Sequence, residues 1–136
     1  MRRLILALGA VSLLACGGDS SGPGTPTAEG TWNLLTVNGS PLPFTAPADP
    51  RRPGFQYQII SDQFVAHSGG AWQDNFTYRV TDNGVVTTTT ETITGTWAQS
   101  GVIVTITTPD GLVDVSISGD QITLTNGVVV LIYARG

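Results

Sequence analysis

The sequence predicts an all-β fold: an antiparallel up-and-down meander of about eight to ten strands closed into a small barrel. Three observations predict it. From Gly30 onward Thr, Val and Ile dominate, and these residues favour a pleated surface over a helix. Apolar and polar residues alternate with period two in several runs, and no window carries a convincing helical period. Tight-turn pairs separate the runs at intervals far too short for parallel crossovers.

The elements follow in order. Gly30-Thr31-Trp32 opens the first strand. Asn38 to Gly54 holds Pro41, Pro43, Pro47, Pro50 and Pro53, and proline cannot donate to a ladder, so this segment reads as a long irregular loop. Trp72, Asp74, Phe76, Tyr78 and Val80 share one face of a strand, with Gln73, Asn75, Thr77, Arg79 and Thr81 on the other. Val86 to Thr94 is threonine-rich on both faces and reads as a solvated strand, a potential edge for another strand to join. Val102, Val104 and Ile106 alternate with Ile103, Thr105 and Thr107. Val113, Val115 and Ile117 form the next inward set, and Ile122 and Leu124 the one after. Val128 to Tyr133 is apolar on both faces and reads as the most buried strand. Gly69-Gly70, Asn83-Gly84, Ser100-Gly101, Pro109-Asp110-Gly111, Gly119-Asp120 and Asn126-Gly127 are the turns. A meander of this length has two edges, and closure removes both, which favours a barrel over a sandwich.

Ahead of the strands stands a different kind of segment. Arg2 and Arg3 make a positive start, Leu4 to Leu14 an apolar run too short to cross a bilayer, and Ala15 a small residue before Cys16. Leu13-Leu14-Ala15-Cys16 resembles the lipobox of a bacterial lipoprotein signal. The resemblance implies cleavage before Cys16 and lipid attachment to its sulfur, which would leave no thiol for disulfide, redox or zinc chemistry. Gly17 follows the cysteine, where an Asp would favour inner-membrane retention in enterobacteria. An exported protein lipid-anchored to the cell envelope is expected, at the outer membrane if the host has two. Gly17 to Ala28 reads GGDSSGPGTPTA, too poor in apolar residues to offset its ordering entropy. The organisation is therefore a signal peptide over 1–15, an acylated cysteine with a flexible tether over 16–29, and a barrel domain over 30–136.

Charge narrows the partners. The formal net charge is −4 and the chain contains no lysine. Arg51, Arg52, Arg79 and Arg135 are the only cations beyond the signal. Nucleic-acid binding needs clustered Lys and Arg against phosphate, so that class is excluded. Anionic lipid offers no electrostatic attraction either, so acyl chains on Cys16 would supply the membrane attachment.

Catalysis and metal binding find little to work with. His67 is the single histidine; Ser68 and Asp62 are near it in sequence, yet no Gly-X-Ser-X-Gly elbow exists. Scattered acids do not make a ligand cluster, and Asp110 and Asp120 fall in turns, where Asp bonds the local backbone. No enzyme activity, cofactor or metal is expected. Asp74 and Glu91 carry more interest: pointing inward they would be buried carboxyls in need of a partner, whereas at a rim they reach water. Arg51 and Arg52 either meet a ligand carboxylate at the barrel mouth or are solvated. Trp32, Phe55, Tyr57, Phe64, Trp72, Phe76, Tyr78 and Trp97 either line a pocket or fill the barrel.

Gly30-Thr31-Trp32, a long loop after it and a run of short hairpins resemble the calycin plan of lipocalins and fatty-acid-binding proteins. In those families the glycine permits close packing at the barrel's closed end and the tryptophan plugs that end. The resemblance also implies a late arginine packed on the tryptophan, for which Arg135 is the only candidate. The expected role is an envelope lipoprotein that binds a small apolar or amphipathic ligand in its barrel. The alternative is a non-catalytic structural or interaction module with a filled barrel.

Overall fold

The computed structural model describes residues 26–136. The export segment, its cleavage site and Cys16 lie outside the described residues. Ten strands follow in chain order: β1 (Gly30–Val37), β2 (Ser40–Pro41), β3 (Phe44–Thr45), β4 (Phe55–Ala66), β5 (Ala71–Asp82), β6 (Val85–Ser100), β7 (Ile103–Thr108), β8 (Gly111–Ser118), β9 (Gln121–Asn126) and β10 (Val129–Arg135). Every pairing is antiparallel. Eight strands close a ring, because β1 pairs with β10 on one edge and with β4 on the other. The result is consistent with the lipocalin-like plan that the Gly30-Thr31-Trp32 start implies.

The proline-rich connection is not irregular throughout. It contains β2, which folds back on β1, and β3, which pairs Phe44 with Ile59 and Thr45 with Gln58. Both lie at strand edges, the position where a sheet tolerates proline. Leu42 and Phe44 tuck against the core from this connection.

Alternation sets the interior as the sequence predicts for most strands. Val104 and Ile106 of β7, Val115 and Ile117 of β8, and Ile122 of β9 are buried. The last strand departs from expectation. Val128 is 91% exposed and Tyr133 is the only residue of β10 in the buried core. The run is apolar on both faces, but Leu131 and Tyr133 sit opposite inward residues of β9 while Val130 and Ile132 do not. Closure leaves the outer face of β10 without a covering layer.

One end of the barrel is plugged. The turns between β4 and β5, β6 and β7, and β8 and β9 meet there with the start of β1 and the end of β10. Trp32 is fully buried, and the Arg135 guanidinium lies 4.2 Å over its ring. Arg135 also donates from Nη1 to the Glu29 carbonyl (2.8 Å) and from Nη2 to the Thr27 carbonyl (2.7 Å). The Trp32 indole donates to the Ala28 carbonyl, and Gln99 accepts from the Ala28 N–H while donating to the Pro26 carbonyl. Residues 26–29, grouped with the tether by composition, are thus laced across the plugged end, and Ala28 is fully buried. Gly30 is required by this arrangement. Its φ is +131°, and a Cβ there would press on the Arg135 guanidinium.

Arg135→Ala removes a partly buried cation–π contact and two charge-assisted hydrogen bonds. It should cost about 2–3 kcal/mol in urea unfolding. Asp120, the ion-pair partner of Arg135 at 3.2 Å, is 86% exposed, so Asp120→Ala should cost under about 0.5 kcal/mol. Equal losses from the two variants would refute this ranking.

Candidate functional site

Above the plug the barrel is not filled. A cavity of about 260 Å³ is lined by inward residues of seven of the eight ring strands. Its wall includes Phe64, Trp72, Ile93, Ile106, Val113, Val115, Ile122, Leu124 and Tyr133, and it reaches the Thr108-Pro109-Asp110 turn at the open end. Asp74 is the carboxyl side chain in the wall below the rim.

Two local features shape its wall. Gly95 of β6 lies opposite Trp72 of β5. A Cβ at Gly95 would collide with the Thr107 carbonyl oxygen and the Trp72 indole, so glycine lets the indole lie flat and donate to Thr107 O at 3.0 Å. The second feature is a bulge in β4. Tyr57 pairs with Val80 and Ile59 with Tyr78, but the register then shifts, and Asp62 pairs with Phe76, Phe64 with Asp74, and Ala66 with Trp72. One extra residue changes which parity of β4 faces inward. Without it Ser61, Gln63 and Val65 would point into the barrel; with it Asp62, Phe64 and Ala66 do.

The bulge brings two carboxyls together. Asp62 is 6% exposed and accepts a 2.7 Å hydrogen bond from the Tyr133 hydroxyl at Oδ2. Asp74, one strand over, is hydrogen-bonded to Asp62. Burial pushes the Asp74 carboxyl up to about 9, reinforced by that hydrogen bond and the Asp62 charge. The same surroundings, burial first, hold the Tyr133 hydroxyl well above its ordinary value, so it stays a donor. Asp62 Oδ1 and Asp74 Oδ1 are both buried, and no residue outside the pair donates a hydrogen bond to either. Glu91, the other acid singled out in the sequence, is exposed and accepts from the Tyr78 hydroxyl at 3.1 Å.

The aromatic residues divide among four places. Phe64 and Trp72 line the cavity with ring centroids 5.6 Å apart. Trp32 lies in the plug, and Trp97 donates its indole N–H to the His67 carbonyl at the same end. Tyr57, Phe76 and Tyr78 form a half-buried cluster higher on β4 and β5, with Tyr57 and Tyr78 stacked at 5.4 Å. Burial, then the nearby Tyr78 and Glu91, raises the Tyr57 hydroxyl above its ordinary value. Phe55 stands in contact with the proline-rich connection, where the Arg52 guanidinium covers its ring at 3.7 Å. Arg51 and Arg52 are exposed and neither lines the cavity. His67 and Ser68 are exposed at the β4–β5 turn, while Asp62 faces the interior and is engaged by Tyr133, so the three do not assemble. Among the described residues no group of three or more His, Cys, Asp or Glu is placed to hold a metal ion.

Strand lengths differ around the ring. β6 pairs with β5 from Val85 to Thr96, but with β7 only from Thr96 to Ser100. The threonine-rich half of β6 therefore presents an unpaired edge although the barrel is closed. No protein-family model matches the chain, and no curated protein or solved structure matches it.

Asp74 provides a pH-dependent test. Its folded value lies above the ordinary carboxylate range, so the native state keeps a proton that the unfolded state releases. The stability this group contributes is complete below that range and is lost as pH rises through about 9. The melting temperature should fall by several degrees between about pH 5 and pH 9. Asp74→Asn keeps the shape and removes the titration, so its profile should be markedly flatter. Parallel profiles for the two proteins would show that Asp74 titrates normally.

Proposed function

We propose that this chain is a lipid-anchored protein of the bacterial cell envelope whose barrel binds a small apolar or amphipathic ligand. The observation that carries the binding reading is the cavity of about 260 Å³. Barrels of eight strands are commonly filled by their own side chains, and here inward residues from seven strands leave a space instead. The volume lies just below the usual range for drug-sized pockets, roughly 300–1,000 Å³. It exceeds the cavity of about 150 Å³ that takes up benzene in another protein's core. A ligand of one ring or a short aliphatic chain suits it. The role proposed is binding without catalysis.

Trp72 lines the cavity and reports its occupancy. Titration with a panel of small apolar compounds and environment-sensitive dyes should give a saturable change in tryptophan emission and a rise in melting temperature. If no member of the panel produces either, the binding reading fails.

The anchoring part of the proposal rests on Leu13-Leu14-Ala15-Cys16 and on the acidic, lysine-free domain behind it. With no basic surface to hold it at a bilayer, the domain depends on the acyl chains. Cys16→Ser, exported behind an ordinary cleavable signal in place of residues 1–15, should be recovered in the soluble fraction as a folded protein, whereas the unaltered chain should partition with membranes. Persistence of that variant in the membrane fraction would overturn the anchor.

A further inference from the structure

We propose that the unpaired edge of β6 joins the same edge of a second copy of this chain, in antiparallel register about Thr89. The inference is independent of what the cavity holds.

Strand parity decides which backbone groups are free. The β5–β6 register runs unbroken from Ala71 opposite Thr96 to Asp82 opposite Val85. One residue beyond it, the Trp97 N–H donates to the Gly70 carbonyl, so odd-numbered residues of β6 turn their N–H and C=O toward β5. Even-numbered residues turn theirs the other way. From Thr96 to Ser100 that side is taken by β7. At Val86, Thr88, Thr90, Thr92 and Thr94 no described element pairs with it, and all five residues are exposed. Proline, lysine and bulges commonly guard a sheet edge, and Val85 to Thr94 has none of them.

Such an edge is complementary to itself. Antiparallel strands exchange hydrogen bonds between residues that both face the shared edge, and here both are even-numbered. No charged residue stands in that row, so it offers nothing for a basic or an acidic segment to select. The β7–β8 turn comes abreast of Thr94, because Thr107 pairs with Thr96 and Thr108 follows it. The longest register clear of that turn sets Val86 opposite Thr92 of the second copy and Thr88 opposite its Thr90. Four such pairs, counted over both copies, exchange about eight hydrogen bonds.

Charge and exposure agree with this register. Glu91, the only charge between Val85 and Thr94, then faces Thr87 of the second copy. Centring the pairing on Glu91 would set two carboxylates opposite each other, which is destabilising. Val85 and Val86 are 68% and 59% exposed, and they come to lie against Ile93 and Thr92 of the other copy. Ile93 lines the cavity, so each copy places Val85 beside its neighbour's cavity wall. On the outer face threonine meets threonine, a favourable cross-strand pair.

A contact along one strand belongs to the small, weak class of interfaces. Sedimentation of the full mature chain carrying Cys16→Ser, from about 10 µM to about 1 mM, should show a mass rising from one copy toward two, half-complete near about 100 µM. Thr90→Pro deletes an N–H that faces the edge and none that faces β5. It should weaken association by about tenfold or more and shift the melting temperature by less than about 3 °C. Thr89→Cys sets two thiols opposite each other at a Cα spacing of about 4.5 Å, within disulfide reach. The Cys16→Ser background has no other cysteine, so Thr89→Cys should cross-link under mild oxidation about tenfold faster than the more exposed Val85→Cys. A single copy at every concentration, undiminished association of Thr90→Pro, or equal cross-linking at the two positions each overturns the proposal. The sedimentation of the Cys16→Ser chain and the cross-linking decide it even if Thr90→Pro fails to fold.

Discussion

The arginine at the end of the last strand lies over the tryptophan at the start of the first, and the rest of the barrel is organised around that contact. β1 is the only strand that closes the ring, by pairing with β10 on one side and β4 on the other. Arg135 fixes the meeting point of the two chain ends, since its guanidinium covers Trp32 and holds the carbonyls of Thr27 and Glu29. A cation held over a buried indole with its N–H groups satisfied is both a hydrophobic cover and a hydrogen-bonded clasp. It plugs the end of the barrel opposite the turn that the cavity reaches.

The cavity wall is shaped by mismatches. Gly95 withdraws its side chain so that Trp72 can lie against β7, and the bulge in β4 turns Asp62 inward beside Asp74. Without the bulge the β4 wall would present Ser61 and Gln63 instead. The polar pair is therefore a product of backbone irregularity. It sits where desolvation is strong, which is why one of its members retains a proton far above the ordinary carboxylate range. Unequal strand lengths have a separate consequence, the unpaired edge along the threonine-rich half of β6.

Much of this was legible in the chain. The alternation at Trp72, Asp74, Phe76 and Tyr78 identifies the inner face of β5, and that at Val113, Val115 and Ile117 the inner face of β8, because side chains of an unbroken strand alternate strictly. Gly30 and Trp32 mark the plugged end. Asp74 was visible as a carboxyl on an apolar face. Its partner was not, since a parity count from Tyr57 or Ile59 places Asp62 outside, and the bulge that reverses it has no glycine or proline to announce it. Val128 to Tyr133 misled for a related reason: an apolar run indicates burial on both faces only where a second layer exists, and a single closed sheet has none on its outside.

By itself the sequence determined an antiparallel, all-β chain with its turns in place, because residue type, period-two alternation and turn chemistry act over a few neighbours. It also determined the acidic balance, a formal net charge of −4 with no lysine. Only the tertiary structure decided that the interior is hollow, that Arg135 closes the plug, and that Asp62 and Asp74 meet beside Tyr133. Those outcomes depend on register and on contacts between residues up to about a hundred positions apart. They are fixed when the ring closes, a step at which every strand's offset is set by its neighbours on both sides.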